Sequence, residues 1–364
     1  MWICLLCRCR YGGHRNKCLH FSIKLNGDKT VALTMKVLFL LTKRQPPSSR
    51  LRVVNCLPAY REAGIEPTVM PIPSDLPGRF KMLRAVAAHD VVVIQKKTSF
   101  RLFELSLMKR LNPRIIFDVD DAVMFHELEH HQPLTGKNFK KFTRTINHCA
   151  AVVAGNQFLA RFAEPNCKQV YVLPTPIDTS RYKVKDYSQP SDKVIIGWLG
   201  VSGNLHYVKR LESVFQRLST EFPNVYLKIV SNDFIEMEGV RIIKEKWTLG
   251  TEIESLRSFD IGIMPLDDTL WARGKCGYKI LQYMGVGVPA VASPVGINSE
   301  FIEHGSNGFL AKTEAEWLSA LRALLAESAL RVKMGGEGRR RLEQEYSQER
   351  FAKSYFDVMR GLAG

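Results

Sequence analysis

Residues 274–298 read GKCGYKILQYMGVGVPAVASPVGIN, and this stretch decides the fold. It places in succession a helix, a glycine turn, a short apolar strand and the start of another helix. Lys275, Lys279 and Gln282 recur at i, i+4 and i+7, so a helix starting at Gly274 would carry all three on one face. Leu281 and Met284 fall on a different, apolar face. Gly285 or Gly287 should end the helix, with Pro289 just beyond, because Gly terminates helices and Pro cannot continue one. Residues 290–292 then read as an interior strand and 293–296 as the turn into the next helix. Helix starts at Gly274 and at Gly296, Ile297 and Asn298 would present free N–H groups and a positive dipole end, which suits a phosphate or diphosphate. Arg273 and Lys275 add charge beside the first. Any one of these lysines alone reads as a solvated helix face; the ordered run argues for more.

Working outward, residues 194–199 form an apolar strand. Gly200, Val201, Ser202, Gly203 and Asn204 follow before a helix that runs to about residue 218. A glycine-containing turn between strand and helix is phosphate-cradle geometry, a weak signal by itself. Further strands are expected at 225–231, 240–243 and 260–265, with a short helix at 251–258. LDDTLWAR at 266–273 leads into Lys275 and is expected to line the donor pocket. Beyond Gly308 the pattern is helical at 313–326, 329–345 and 348–361. Residues 174–190, PTPIDTSRYKVKDYSQP, are proline-containing, polar and aperiodic, as expected of a linker.

Before that linker, apolar runs at 36–41, 68–72, 91–94, 115–117, 151–154 and 170–173 alternate with helical stretches, notably 50–63, 100–111 and 138–148. Such alternation predicts a parallel sheet with helices on both faces. Ligands then bind beyond the carboxyl ends of the strands. One strand end is rich in acid: IIFDVDDAVMF at 115–125 releases Asp118, Asp120 and Asp121, with His126 next and His130 and His131 after. Crowded carboxylates shift one another's pKa values, as acid–base sites require. The same group could hold a divalent ion, and Asp121 could merely cap a helix. Lys43, Arg44, Arg50 and Arg52 form a basic loop that either meets an acidic acceptor or is simply solvated. Gly155-Asn156 is another strand-to-helix junction facing the cleft. Residues 138–148 are basic and amphipathic, suited to an anionic membrane surface or to solvent.

Gly277, Gln282, Gly287, Pro289, residues 290–293, Val295, Gly296, Glu300, Gly305 and Gly308 follow in order the signature that this chain resembles, that of group 1 (family 4-like) GT-B glycosyltransferases. The resemblance implies an α/β fold of two Rossmann-like domains, parallel sheets facing a cleft, and a C-terminal helix crossing back to the first domain. The expected parts are an extension at 1–34, an acceptor domain at 35–173, a linker at 174–193, a donor domain at 194–346 and the returning helix at 347–364. The implied reaction moves a sugar from a nucleotide diphosphate sugar to a glycan, lipid-linked or small-molecule hydroxyl, with net retention. No cofactor, resident metal or nucleic acid enters it. The implied setting is cytoplasmic, in cell-envelope polysaccharide synthesis, with peripheral contact at the inner membrane face. Donor contacts would come from Gly200, Ser202, Gly203, Arg273, Lys275, Lys279, Gln282, Gly296, Ile297 and Asn298. Asp118, Asp120, Asp121 and His126 would supply the chemistry.

The chain also departs from that pattern. The family's Arg and Lys after residue 199 are missing, since Lys209 and Arg210 lie further along. The first of its paired glutamates falls at Gly274 and the second at Gln282, whose amide both accepts and donates. The glycine-rich loop after the first strand is absent, and Thr175-Pro176 stands where the family has Asn-Gly. A catalytically silent scaffold and a nucleotide-sugar epimerase therefore stay open. A GT-A enzyme, whose Asp-x-Asp motif the acidic strand end resembles, would not need the second domain.

Composition fits this reading. The chain has 364 residues, 45% hydrophobic and 24% charged, enough for two globular domains. No apolar run reaches the roughly 18 residues of a spanning helix. Of the net charge of +16, a part sits before Met35, where Arg8, Arg10, Arg15, Lys17, Lys24 and Lys29 face only Asp28. The remainder is still basic, but no nucleic-acid recognition motif accompanies it. Cys4, Cys7, Cys9 and Cys18, with His14 and His20, raise a zinc site whose spacing fits no finger pattern. Met35, followed at once by an apolar strand, reads as the natural start. Cys56, Cys149, Cys167 and Cys276 are scattered, as in a reducing compartment.

Overall fold

Continuous apolar runs such as Val37–Leu41 and Val91–Ile94 are buried on both faces, which is what a parallel sheet covered by helices demands. The computed structural model describes residues 34–42, 47–125, 136–188 and 191–363. The first sheet comprises β1 (Met35–Leu41), β2 (Ile65–Pro71), β3 (Val91–Gln95), β4 (Ile115–Val119), β5 (Ala151–Ala154) and β6 (Val170–Val172), in the order β2-β1-β3-β4-β5-β6. All five pairings are parallel. The second contains β7 (Val194–Leu199), β8 (Val225–Ser231), β9 (Ile242–Lys246), β10 (Ile261–Met264), β11 (Ala290–Ala292) and β12 (Gly308–Leu310), in the order β12-β11-β10-β7-β8-β9. It too is wholly parallel.

Side chains alternate across each sheet. In the first, Leu38, Leu40, Val92, Ile94 and Phe117 join one core beneath the helices Leu76–Ala88, Leu102–Leu111 and Lys137–Ile146. Val37, Phe39, Val91, Val93 and Ile116 join the other, where Phe351, Ala352 and Tyr355 of the last helix, Gln348–Ala363, are buried among them. The C-terminal helix thus returns to the first sheet, as expected. In the second sheet Ile196 and Ile229 face one core while Ile195, Leu199 and Val230 face the other.

Several expectations are corrected. The helix expected to start at Gly274 starts at Tyr278 (Tyr278–Gly285). Gly277 takes a left-handed conformation, φ 59°, that admits Gly readily and breaks any helix running through it. A separate short helix, Leu270–Arg273, precedes it, so Lys275 lies in the loop between two helices. The stretch 50–63 divides into a π-turn, Arg50–Val54, and a helix, Leu57–Glu62. Helix Leu76–Ala88 and strand β12 were not anticipated. His126, His130, His131, Lys43, Arg44 and the cysteines before residue 34 lie outside the described residues.

The carboxyl edges of the two sheets meet. A Cβ on Gly155 would strike Cys276 Sγ, and one on Gly274 would strike Ala122 Cβ, so each glycine lets backbone of one half approach the other. Asn156 Nδ2 donates to the carbonyls of Arg273 (3.4 Å) and Lys275 (3.0 Å) across this seam while its Oδ1 caps the next helix. The Cys276 thiol donates to the Asp120 carbonyl at 2.7 Å.

Candidate functional site

The acidic end of β4 divides into two environments. Asp118 is fully buried, and Arg52, equally buried, grips it with Nε–Oδ1 and Nη2–Oδ2 contacts of 2.8 Å each. The Tyr355 hydroxyl donates to the same carboxylate at 3.1 Å, and Arg52 Nη1 donates to the Leu173 carbonyl at 2.8 Å. Asp118 therefore ties the last helix and the start of the linker to the sheet. Its role is corrected from chemistry to framework, because neither oxygen is left to meet a ligand.

Asp120 and Asp121 turn towards the cleft. Lys96, at the end of β3, forms an ion pair with Asp121 and lies 3.7 Å from Asp120 Oδ1, which finds no hydrogen-bond partner among the described residues. Lys96 also donates to Ser48 Oγ at 3.2 Å. Its φ of 58° is a conformation that non-glycine residues seldom hold, so the fold strains the backbone here to aim this ammonium. Burial, then repulsion from Asp120, raises the Asp121 pKa above the ordinary carboxylate range; Lys96 and Lys275 oppose the rise. Asp121 borders a pocket of about 380 Å³ with Thr42, Ser48, Ser49, Gln95 and Lys96. Hydroxyls, an amide and one ion pair make this lining suited to a hydroxylated molecule.

Facing this edge are the lysines of the second sheet. Lys275 Nζ donates to Asn204 Oδ1 at 3.2 Å and stands over the rings of Trp271 and Tyr207, 5.7 and 5.9 Å from their centres. Lys279, in the first turn of Tyr278–Gly285, lies 5.6 Å from the Trp198 ring centre and forms no ion pair among the described residues. Burial, reinforced by repulsion from Lys275, lowers its pKa to about 8, and Asp121 across the cleft pulls the other way. Lys279 Cε lies close against Gly200, where a Cβ would come within 2.8 Å of it. Ser202 and Gly203 form the short turn that carries Asn204, and Gly203 borders open space.

The structure therefore brings together Asp120, Asp121, Gly200, Ser202, Gly203, Lys275 and Lys279 from the residues expected at the site. Five others stand apart. Arg273 is exposed and bound to Asp268 through Nε and Nη2, at 2.5 and 2.9 Å. Gln282 is buried with its Nε2 donating to the Tyr182 hydroxyl at 3.3 Å, on the linker and not on the cleft. Ile297 is core, and Asn298 holds its own turn through the Ser293 carbonyl at 3.1 Å. Gly296 packs on the Arg273 carbonyl in a left-handed turn, φ 56°, so that turn is reachable only by its backbone. Sequence reading missed Lys96 and Tyr207, whereas Asn204 and Trp271 fall in the two stretches expected to border the donor. Only Lys96 carried a signal, as a charge directly after an apolar strand.

The family profile described as Glycosyl transferases group 1 matches residues 197–327. A Xenopus tropicalis protein, Glycosyltransferase 1 domain-containing protein 1, is 27% identical over 216 residues; the match spans 52% of this chain and 60% of that relative's length. Among solved structures, Anabaena HepE in complex with UDP and glucose superposes with a TM-score of 0.69 at 15% identity, covering 90% of this chain and all of that one. Sucrose-phosphate synthase from Thermosynechococcus elongatus gives 0.65 at 12% identity, covering 90% and 99%. The fold is GT-B.

Proposed function

We infer that this chain, whose residues 197–327 form a group 1 glycosyl transferase domain on a GT-B frame, moves a sugar from a nucleotide diphosphate sugar to an acceptor hydroxyl. The observation that carries this reading is Lys279. Its ammonium is held against Trp198 with no ion-pair partner among the described residues, burial and Lys275 lower its pKa, and such a cation is prepared for an anion. Lys275, bonded to Asn204, and the Gly200–Asn204 turn stand beside it. HepE, whose solved complex contains UDP and glucose, supports a nucleotide diphosphate as that anion.

In this scheme the bond between the sugar carbon and the diphosphate oxygen breaks as a bond to the acceptor oxygen forms. Negative charge grows on the leaving diphosphate, where Lys275 and Lys279 meet it. The acceptor occupies the pocket beside Lys96 and Asp121. Asp121 takes the acceptor's proton, its raised pKa making it a stronger base than an ordinary carboxylate. Lys96 orients it. We propose net retention, a glycan or lipid-linked acceptor and a cytoplasmic setting, in keeping with the resemblance. Among the described residues no helix is long and apolar enough to cross a membrane.

A silent scaffold is the second reading. It is favoured by the withdrawal of Arg273 and Gln282 from the cleft. Incubation with a panel of nucleotide sugars, followed by release of nucleoside diphosphate, separates the two. Turnover with at least one donor, lost in Asp121→Asn, is expected. Binding of nucleoside diphosphate without turnover of any donor would establish the scaffold.

A further inference from the structure

A cavity of about 570 Å³ opens at the amino edge of the second sheet, the end away from the cleft. Val194, the first residue of β7, and Asp260, just before β10, stand in its wall, whereas both strands finish at the cleft edge. No residue placed at the cleft lines it. Its volume lies within the roughly 300–1,000 Å³ of small-molecule sites. Lys185, Lys193, Arg257 and Arg331 line it together with the acids Asp186, Glu254 and Asp260. Each acid already accepts from a neighbour. Lys185 lies 2.9 Å from Asp260, whose other oxygen takes the Ile195 amide at 2.7 Å. Arg257 binds Glu254 at 2.9 Å, and Asp186 accepts from the amide and hydroxyl of Ser188 at 2.9 and 2.7 Å. Lys193 and Arg331 form no ion pair among the described residues, and Lys193 stands 4.9 Å from the Tyr226 ring centre.

Arg331 is only 8% exposed. Its Nη1 donates to the Leu324 and Leu325 carbonyls, at 2.5 and 3.4 Å, near the end of helix Glu314–Ala326. Its Nε is buried with no hydrogen-bond partner among the described residues, and so is that of Arg257. A guanidinium N–H withdrawn from water without an acceptor costs free energy, which an anion accepting from it would recover. The charge of Arg331 reaches the cavity: burial and then Asp260 raise the Tyr187 pKa, and Arg331 opposes the rise. Helix Ser328–Glu345 starts in the same wall at Ser328, and no side chain caps its first amides. A helix start beside two cations without acids favours an anion with several acceptor oxygens.

We propose that this cavity binds a phosphate group, free or carried by a small molecule, between Lys193, Arg331 and the first turn of helix Ser328–Glu345. Phosphate suits these three separate donors better than carboxylate because it offers more acceptor oxygens. Tyr187, Val194 and Val332 leave a partly apolar wall for an organic portion. The site does not depend on sugar transfer.

The test is calorimetric titration of the full chain at constant ionic strength, with inorganic phosphate and phenyl phosphate as probes. Wild type should bind phosphate with a Kd on the order of 1 mM or tighter. Tighter binding of phenyl phosphate assigns the site to a phosphorylated small molecule, and equal or weaker binding to the free ion. Lys193→Gln, a change at an exposed side chain, should weaken phosphate binding about tenfold at unchanged melting temperature, and Arg331→Gln at least as much. Lys279→Met should leave phosphate bound, which separates this cavity from the cleft. Absence of phosphate binding by the wild type up to about 50 mM, or unchanged affinity in Lys193→Gln, overturns the proposal. So does loss of binding in Lys279→Met, since the phosphate would then lie in the cleft.

Discussion

The two sheet edges that meet at the cleft handle charge in opposite ways. On the first, cations stand at the carboxylates: Arg52 clasps Asp118 inside the core, and Lys96 holds Asp121 at the pocket rim with Asp120 3.7 Å away. On the second, Lys279 is half-buried with no ion-pair partner among the described residues and a pKa lowered to about 8. One edge keeps cations of its own at its carboxylates and the other waits for a ligand. Charge should therefore enter on the second side, while the first offers polar but compensated contacts to a neutral acceptor.

The comparison can be broken most severely at Arg52. Arg52→Met leaves Asp118 buried and unpaired, which should cost about 3–5 kcal/mol of unfolding free energy in urea titration. A loss under about 1 kcal/mol would mean that the clasp is not what joins the last helix and linker to the sheet. Next in size is Asp121→Asn, which should lower kcat by roughly 10²–10⁴-fold while leaving donor binding nearly intact. Equal loss in kcat and in donor affinity would move Asp121 out of the proton-transfer role.

A smaller effect comes from pH. Lys279 holds an anion only while protonated, and by linkage the bound diphosphate raises its pKa, so donor affinity should be steady below pH 8 and decline as pH rises through about 8. Lys279→Arg should shift that decline to higher pH. A wild-type profile that strengthens above pH 8 would contradict the sign. The smallest effect is expected at Gln282. Gln282→Ala removes the hydrogen bond to Tyr182 and should cost about 1 kcal/mol of stability with turnover unchanged. A large turnover defect would restore Gln282 to the donor site.

Legibility followed the range of the interactions. Strands such as β3 and β10 were readable because a buried parallel strand must be an unbroken apolar run. Strand β12, three residues long, offered no such run. The lysines at 275 and 279 were visible, but their shared helical face was not real, because Gly277 turns left-handed between them. Asp118 and Asp121 looked equivalent in sequence. What separates them is Arg52, 66 residues away, and Tyr355, 237 away, and local patterns carry no trace of such partners. Lys96 was missed although its place directly after an apolar strand marked it.

Calorimetric titration of the intact chain with a panel of nucleoside diphosphates at pH 7, wild type against Lys279→Met, addresses the waiting cation itself. Wild type should bind at least one of them, with affinity reduced about a hundredfold in the variant and folding stability undiminished. Equal affinity in both proteins would show that the diphosphate does not meet Lys279, and the sugar-transfer reading of this cleft would fall with it.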